Sequence, residues 1–355
     1  MAIIKADNYH DEQSKQNVLK LRAILDTLPP FCKPFFRGIE EYTSSRTRLA
    51  YAYDLRLFFE FLHEKNSICA KQEIIDIKID ILDQLTRMDI EEYLEYLSLY
   101  QKDGKDITND ERGKSRKLSA LRSFYNYYFQ NELIEKNVAA LVPLPKRHDK
   151  EIIRLEPNEV AILLDQVEAG TKLTKKELDY HKKTKIRDIA LLTLLLGTGI
   201  RVSECVGLDI NDVNFDVGGI KIRRKGGFEA IIYFGDEVEI ALLDYLEQRE
   251  HIVPAAGHEN ALFLSLQNRR MAVRSVENLV KKYASRVTSL KKITPHKLRS
   301  TYGTTLYQET NDIYLVADVL GHSDVNTTRR HYAALEDQRR RKAANAVRLR
   351  EKKEE

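Results

Sequence analysis

The sequence predicts a two-domain protein, all-α in its first half and mixed α+β but mainly helical in its second, with a small antiparallel β-hairpin. Three observations lead there. The chain has 355 residues, more than one core usually organises. Pro143, Pro145 and Pro157 fall within one charged stretch, where no helix can run through. Apolar residues recur at helical spacing before that stretch; after it, helical patterns flank one segment that alternates on both sides of Gly226-Gly227.

The elements follow in order. "SSRTRLAYAYDLRLFFEFLHEKN" reads as a helix with Leu49, Tyr53, Leu57 and Phe61 inward and Ser44 or Ser45 as its cap. "TRMDIEEYLEYLSLY" places Ile90, Leu94 and Leu97 on one side. "GKSRKLSALRSFYNYYFQNELI" turns Leu118, Leu121, Tyr125 and Phe129 inward and opens on Lys114, Arg116, Lys117 and Arg122. Beyond the prolines, "TKIRDIALLTLLLGTG" is a buried helix ended by Gly197 and Gly199, and "RVSECVGL" restarts one. "GGIKIRRKGGFEAIIYF" is the hairpin. "EVEIALLDYLEQRE", "RSVENLVKKYASRV", "TPHKLRSTYGTTLYQE" and "IYLVADVLGH" are helices, the last with Leu315, Val319 and Leu320 as its apolar face. The tail after Tyr332 has few large apolar anchors, so alone it is a marginal helix or disordered.

Composition narrows the class. Apolar residues make up 43% and charged residues 32%, and no run of about 18 apolar residues is present, which points to a soluble, cytoplasmic protein without a membrane partner. Cys32, Cys69 and Cys205 are far apart and form no CxxC pair, so a disulfide framework and a zinc knuckle both lack support. A net charge of +4 decides little; the placement of the charge matters more.

Four stretches of the second half look chemical. In "GTGIRVSE", Arg201 stands where a buried helix breaks, either as a fork for phosphate or as a surface partner of Glu204. In "RRKGG", Arg223, Arg224 and Lys225 crown a hairpin tip that either enters a DNA groove or is a solvated turn. In "TPHKLRSTYG", Pro295 starts a helix on which His296 and Arg299 share one face, a pairing suited to an anionic oxygen centre. In "LGHSDVNTTRRHYA", His322 follows Gly321 at a helix end, and Tyr332 comes ten residues later. A phenol, with a pKa of about 10, is a weak nucleophile until its proton is removed. Its attack on a phosphodiester builds charge that two arginines and a histidine can hold without a metal ion or other cofactor, while Lys225 can protonate the leaving sugar oxygen.

Arg201 in "TGIR", Lys225 at a hairpin tip, "HKLR" at 296–299, "LGH" at 320–322 and Tyr332 resemble, in order and spacing, the signature of the tyrosine recombinases, the family of Xer proteins and mobile-element integrases. "TRLAYAYDLRLFFEFL" and "SRKLSALRSFYNYYF" resemble that family's helical, SAM-like core-binding domain. The resemblance implies an N-terminal extension (1–35), a core-binding domain (36–142), a linker (143–157), a catalytic domain (158–335) and a C-terminal tail (336–355) that docks on a neighbouring subunit. It implies a metal- and ATP-independent site-specific DNA recombinase, working in chromosome dimer resolution or in integration and excision. Arg201 and Arg299 would clamp the scissile phosphate, His296 assist proton transfer, Lys225 protonate the leaving 5′ oxygen, and His322 bond the phosphate. Tyr332 would form the 3′-phosphotyrosyl link, with Glu204 in support. Asp54 and Thr47 match core-binding positions. Ser300 stands where many relatives carry a second histidine, and "EAGTKLTKKELDYHKKTKIR" is longer than in compact Xer proteins, as in the single-recombinase branch.

The implied partner is double-stranded DNA with paired inverted half-sites, gripped by basic residues of both domains: Arg46, Arg48, Lys114, Arg116, Lys117, Arg122, Arg223 and Arg224. Four protomers would join two such sites, with a DNA translocase or an excisionase-like protein as accessory factor. A non-catalytic DNA-binding accessory protein, a type IB topoisomerase and a metal-dependent nuclease built on His296, His322 and His331 are the alternatives.

Overall fold

The computed structural model describes residues 9–146, 153–224, 227–322 and 325. The chain divides into two compact units, Met1–Lys150 and Glu151–Glu355.

The first unit is built on helices α1 (Tyr9–Leu25), α2 (Cys32–Gly38), α3 (Ser45–Lys65), α4 (Ile81–Gln84), α5 (Arg87–Tyr96), α6 (Glu111–Gln130) and α7 (Val138–Leu141). Ser44 caps α3: its hydroxyl accepts from the Thr47 N–H at 3.2 Å, satisfying one of the donors a helix start leaves open. The buried apolar residues of α3 are Ala52, Leu55, Leu57, Phe58, Phe59, Phe61 and Leu62, and Phe124 of α6 meets Phe35 and Phe59 edge to face. Leu57 and Phe61 of α3 and Leu118, Leu121 and Tyr125 of α6 are buried as the periodicity predicts, whereas Tyr53 and Phe129, expected inward, are exposed.

Two features lie outside the sequence reading. The segment 1–35, expected as an extension, contains α1, which packs on α3 and sends Leu21, Ile24 and Leu25 into the shared core. The first turns of α1 are polar, so its apolar stripe is short and its periodicity weak. Between α5 and α6 runs a hairpin of β1 (Tyr100–Lys102) and β2 (Lys105–Ile107), turned at Asp103 and Gly104, both with positive φ. The Asp-Gly pair is the local signal for that turn.

The second unit is arranged around α9 (Lys175–Thr198), which packs against α8 (Pro157–Ala169), α11 (Asp236–Glu250) and α13 (Pro295–Thr310). Leu191, Leu192, Leu194 and Leu195 are buried on nearly every side of it, as a central helix requires. α9 starts well before the apolar run, at a capping box in which Thr174 and Glu177 satisfy each other's N–H groups. The longer stretch before the buried helix is therefore the end of α8, a left-handed turn at Gly170 and the first turns of α9. α10 (Val202–Gly207) follows, then the antiparallel sheet β3 (Val213–Asn214), β4 (Gly219–Arg223) and β5 (Glu229–Tyr233) in that order, then α12 (Val273–Ala284) and α14 (Ile313–Leu320). α14 buries Val316, Ala317 and Leu320; Leu315, expected on that face, is exposed.

Candidate active site

The site forms at the C-terminal end of α14. The helix stops in a Schellman turn: the His322 N–H bonds Ala317 O at 2.9 Å, and the Gly321 N–H bonds Asp318 O at 2.8 Å. Gly321 takes φ +60°, which only glycine adopts without cost. The carbonyls that follow in the last turn are left to other donors, and this end carries the negative pole of the helix dipole.

Three arginines supply those donors. Arg201 gives Nη2 to Gly321 O at 3.1 Å. Arg299 gives Nη2 to Leu320 O and Nη1 to Gly199 O, the latter at 2.8 Å. Arg224 gives Nη1 to Asp318 O at 3.1 Å and Nη2 to Val319 O at 2.8 Å. Guanidinium groups from the start of α10, from α13 and from the β4–β5 turn thus converge on four consecutive carbonyls.

Each is held from behind. Arg201 precedes α10, and the buried Glu204 carboxylate accepts both from its backbone N–H and from its Nη1, each at 2.7 Å. The pairing with Glu204 and an outward-facing fork coexist: Glu204 orients the guanidinium while its side chain stays about one-third exposed, 36%. Arg299 is buried on α13, one turn after Pro295 starts the helix. The Gly199 carbonyl reaches it because Gly199 adopts φ +62°; a methyl group there would lie 2.3 Å from Tyr302 Cδ1.

His296 lies on the exposed side of α13, one turn before Arg299. Its imidazole titrates below the ordinary histidine value, first because the ring is partly desolvated and then because Lys297, Arg299 and Arg201 are cationic neighbours. The residue keeps open surface, so the cation field is the cause that an incoming phosphate reverses. His296 is therefore neutral at pH 7. Its midpoint, followed by NMR, is expected below 6.5 in the free protein and higher once DNA is bound. A free-protein midpoint at or above 6.5 would contradict this cationic setting. The linked stability is present above pH 6.5, the unfolded value, and is lost as pH falls from there through the lower folded value.

His322 is half-buried in the Schellman turn. Lys225 and Tyr332 lie outside the described residues, as do the linker residues 147–152 and the tail 336–355. Tyr283, by contrast, is a buried tyrosine with a structural role: its hydroxyl donates to Asp188 Oδ2 at 3.1 Å and sits 3.1 Å from His181 Nδ1.

Of the basic residues expected on DNA, several are engaged within the fold. Arg48 is buried and paired with Glu40. Lys117 is buried and donates to Asn109 Oδ1 at 2.9 Å. Arg122 bonds Ala139 O at 3.1 Å and Val142 O, closing the end of α7. Arg224 is the helix cap described above. Lys114 is half-buried and donates to Ser98 Oγ at 2.6 Å. Arg116 is exposed but bound through both Nη groups to the buried Asp54. Arg46 is exposed, and Arg223 is half-buried at the end of β4.

The sequence profile of the phage integrase family matches residues 154–339, and that of the phage integrase N-terminal SAM-like domain matches residues 35–132. Together they span most of the chain. This chain belongs to the phage integrase family, the tyrosine recombinases. Among curated relatives, tyrosine recombinase XerC of Caldanaerobacter subterraneus subsp. tengcongensis is 32% identical over 330 residues, covering 89% of this chain and 86% of the relative. Tyrosine recombinase XerS of Streptococcus agalactiae is 29% identical over 333 residues, covering 87% and 93%. Among solved structures, XerH bound to palindromic difH substrate superposes with a TM-score of 0.64 at 21% identity, covering 85% of this chain and 80% of that one. A λ integrase fragment superposes at 0.60 with 14% identity, covering 85% and 94%, which shows a shared fold. This tyrosine recombinase is a site-specific enzyme that transfers DNA strands through a tyrosyl intermediate.

Proposed function

We propose that the α14 end is the phosphate pocket of strand cleavage, with Arg201 and Arg299 as the clamp, His322 as a further donor, His296 as proton-transfer residue, Lys225 as general acid and Tyr332 as nucleophile. The observation that carries this reading is the delivery of Arg201 and Arg299, from separate elements, to the adjacent carbonyls of Gly321 and Leu320. Guanidinium forks fixed in advance stabilise the trigonal-bipyramidal charge without reorganising during the reaction.

The Tyr332 oxygen forms a bond to phosphorus, and the bond from phosphorus to the 5′ oxygen breaks. The tyrosyl proton leaves by way of His296, and the 5′ oxygen takes a proton from Lys225. The product is a 3′-phosphotyrosyl link and a free 5′ hydroxyl. Attack by another 5′ hydroxyl reverses the step, so ligation needs no ATP, and cationic side chains stand in place of a metal ion.

Incubation with a nicked candidate site in EDTA, followed by SDS, is expected to leave a covalent protein–DNA band. Loss of the band on chelation, with DNA binding intact, would sink the metal-independent mechanism. The proposal extends to paired inverted half-sites bridged by four protomers in the cytoplasm, with a DNA translocase or excisionase-like accessory. The role proposed is chromosome dimer resolution or element integration and excision. Among the described residues no helix is long and apolar enough to cross a membrane.

A further inference from the structure

Arg224 closes the β4–β5 turn. Its N–H donates to Phe228 O at 2.7 Å, and its carbonyl accepts from the Gly227 N–H at 3.1 Å. Its side chain then leaves the hairpin and forks onto Asp318 O and Val319 O at the end of α14. The guanidinium covers Gly321 so closely that a methyl group there would lie 2.6 Å from Cζ. Its Nε is buried without a hydrogen-bond partner. A buried unpaired donor is costly, so the surrounding contacts must impose this placement.

We propose that Arg224 is a positioning residue for strand cleavage: it locks the hairpin turn to the helix end that orients Arg201, Arg299 and His322. Lys225 is the next residue in the chain, so loss of this lock is expected to be felt at the general acid. The inference rests on the assignment of Lys225 as general acid. A forked guanidinium fixes two neighbouring carbonyls and so sets direction as well as distance, which a single ammonium does not. A general acid must come within about 2.6–3.2 Å of the oxygen it protonates, and a displacement of about 1 Å can cost about 100-fold in rate. With both Nη groups engaged and Nε buried, Arg224 is better built to hold the turn than to read DNA.

The test compares Arg224→Ala, Arg224→Lys and Lys225→Ala in single-turnover cleavage of two DNA substrates. One has the ordinary 5′ oxygen at the scissile phosphate; the other has a bridging 5′ sulfur. A thiol has a pKa of about 8.5, far below that of an alcohol, so the sulfur departs without an acid. Arg224→Ala is expected to slow cleavage of the oxygen substrate about 10- to 100-fold with DNA affinity nearly unchanged, and the sulfur substrate to restore most of the rate. Arg224→Lys, which keeps the stem and one donor group, is expected to fall between. Thermal melting of each variant separates these effects from misfolding.

Equal slowing of Arg224→Ala on both substrates overturns the proposal, as does a defect confined to DNA affinity. If Lys225→Ala is rescued by sulfur and Arg224→Ala is not, the acid assignment stands and the positioning role fails. If Arg224→Ala is rescued and Lys225→Ala is not, Arg224 positions a different acid and the assignment of Lys225 fails.

Discussion

Tyr332→Phe is expected to abolish covalent strand cleavage, with a rate loss of at least about 10⁴-fold, because the substitution removes the one oxygen that bonds to phosphorus. Affinity for the DNA site is expected to change little, since a phenyl ring fills the same volume and the arginine clamp is untouched. Gel shift and SDS-resistant complex formation on the same substrate separate the two quantities. The chain has 18 tyrosines, so a covalent band that persists in Tyr332→Phe would move the nucleophile to another of them. The buried Tyr283 is a poor candidate: desolvation, and then the neighbouring Asp188 charge, raise the pKa of its phenol strongly and oppose the phenolate.

Arg299→Ala is expected to damage both activity and stability. Loss of one preorganised cationic donor costs about 10²–10³-fold in rate in comparable oxyanion sites. The same change deprives Gly199 O and Leu320 O of their Arg299 donor in a buried setting, at about 1–3 kcal/mol. For a unit of this size, each kcal/mol lowers the melting temperature by about 2–4 °C. Arg299→Lys keeps the charge but cannot reach both carbonyls, so stability is expected to recover only in part and cleavage to remain low. Normal melting together with normal cleavage in Arg299→Ala would remove Arg299 from the clamp. Arg201→Ala makes the contrast: it too is expected to lose cleavage, and it strips the buried Glu204 of its ion-pair partner.

The helical parts were legible where their signals are local. Ser44 as a cap, Pro295 in the first turn of α13, and glycines at the ends of α9 and α14 each act within a few residues of their own position. α1 was illegible because its apolar stripe covers only its last turns and becomes informative only when α3 is beside it. The β1–β2 hairpin carried a readable Asp-Gly signal, but its strands are three residues each, too short for alternation to register.

The site divides along the same line. Arg201, Glu204, His296 and Arg299 could be marked because three-residue spacing fixes which side chains share a helix turn. The basic residues could not be sorted. Arg48, Lys117, Arg122 and Arg224 look in sequence like groove contacts, yet their partners are Glu40, Asn109 and the ends of α7 and α14. A cation satisfies a backbone carbonyl as readily as a phosphate oxygen, and which one it meets depends on chain segments far away in sequence.

The sequence by itself determined the family, the mainly helical build and the kinds of side chain available for a cation-assisted phosphoryl transfer, because capping, periodicity and motif spacing are short-range properties. Only the tertiary structure decided that three arginines share the end of one helix and that one of them ties down the hairpin turn. Bare carbonyls at a helix terminus are a property of backbone geometry, and no pattern of letters records which distant residue will satisfy them.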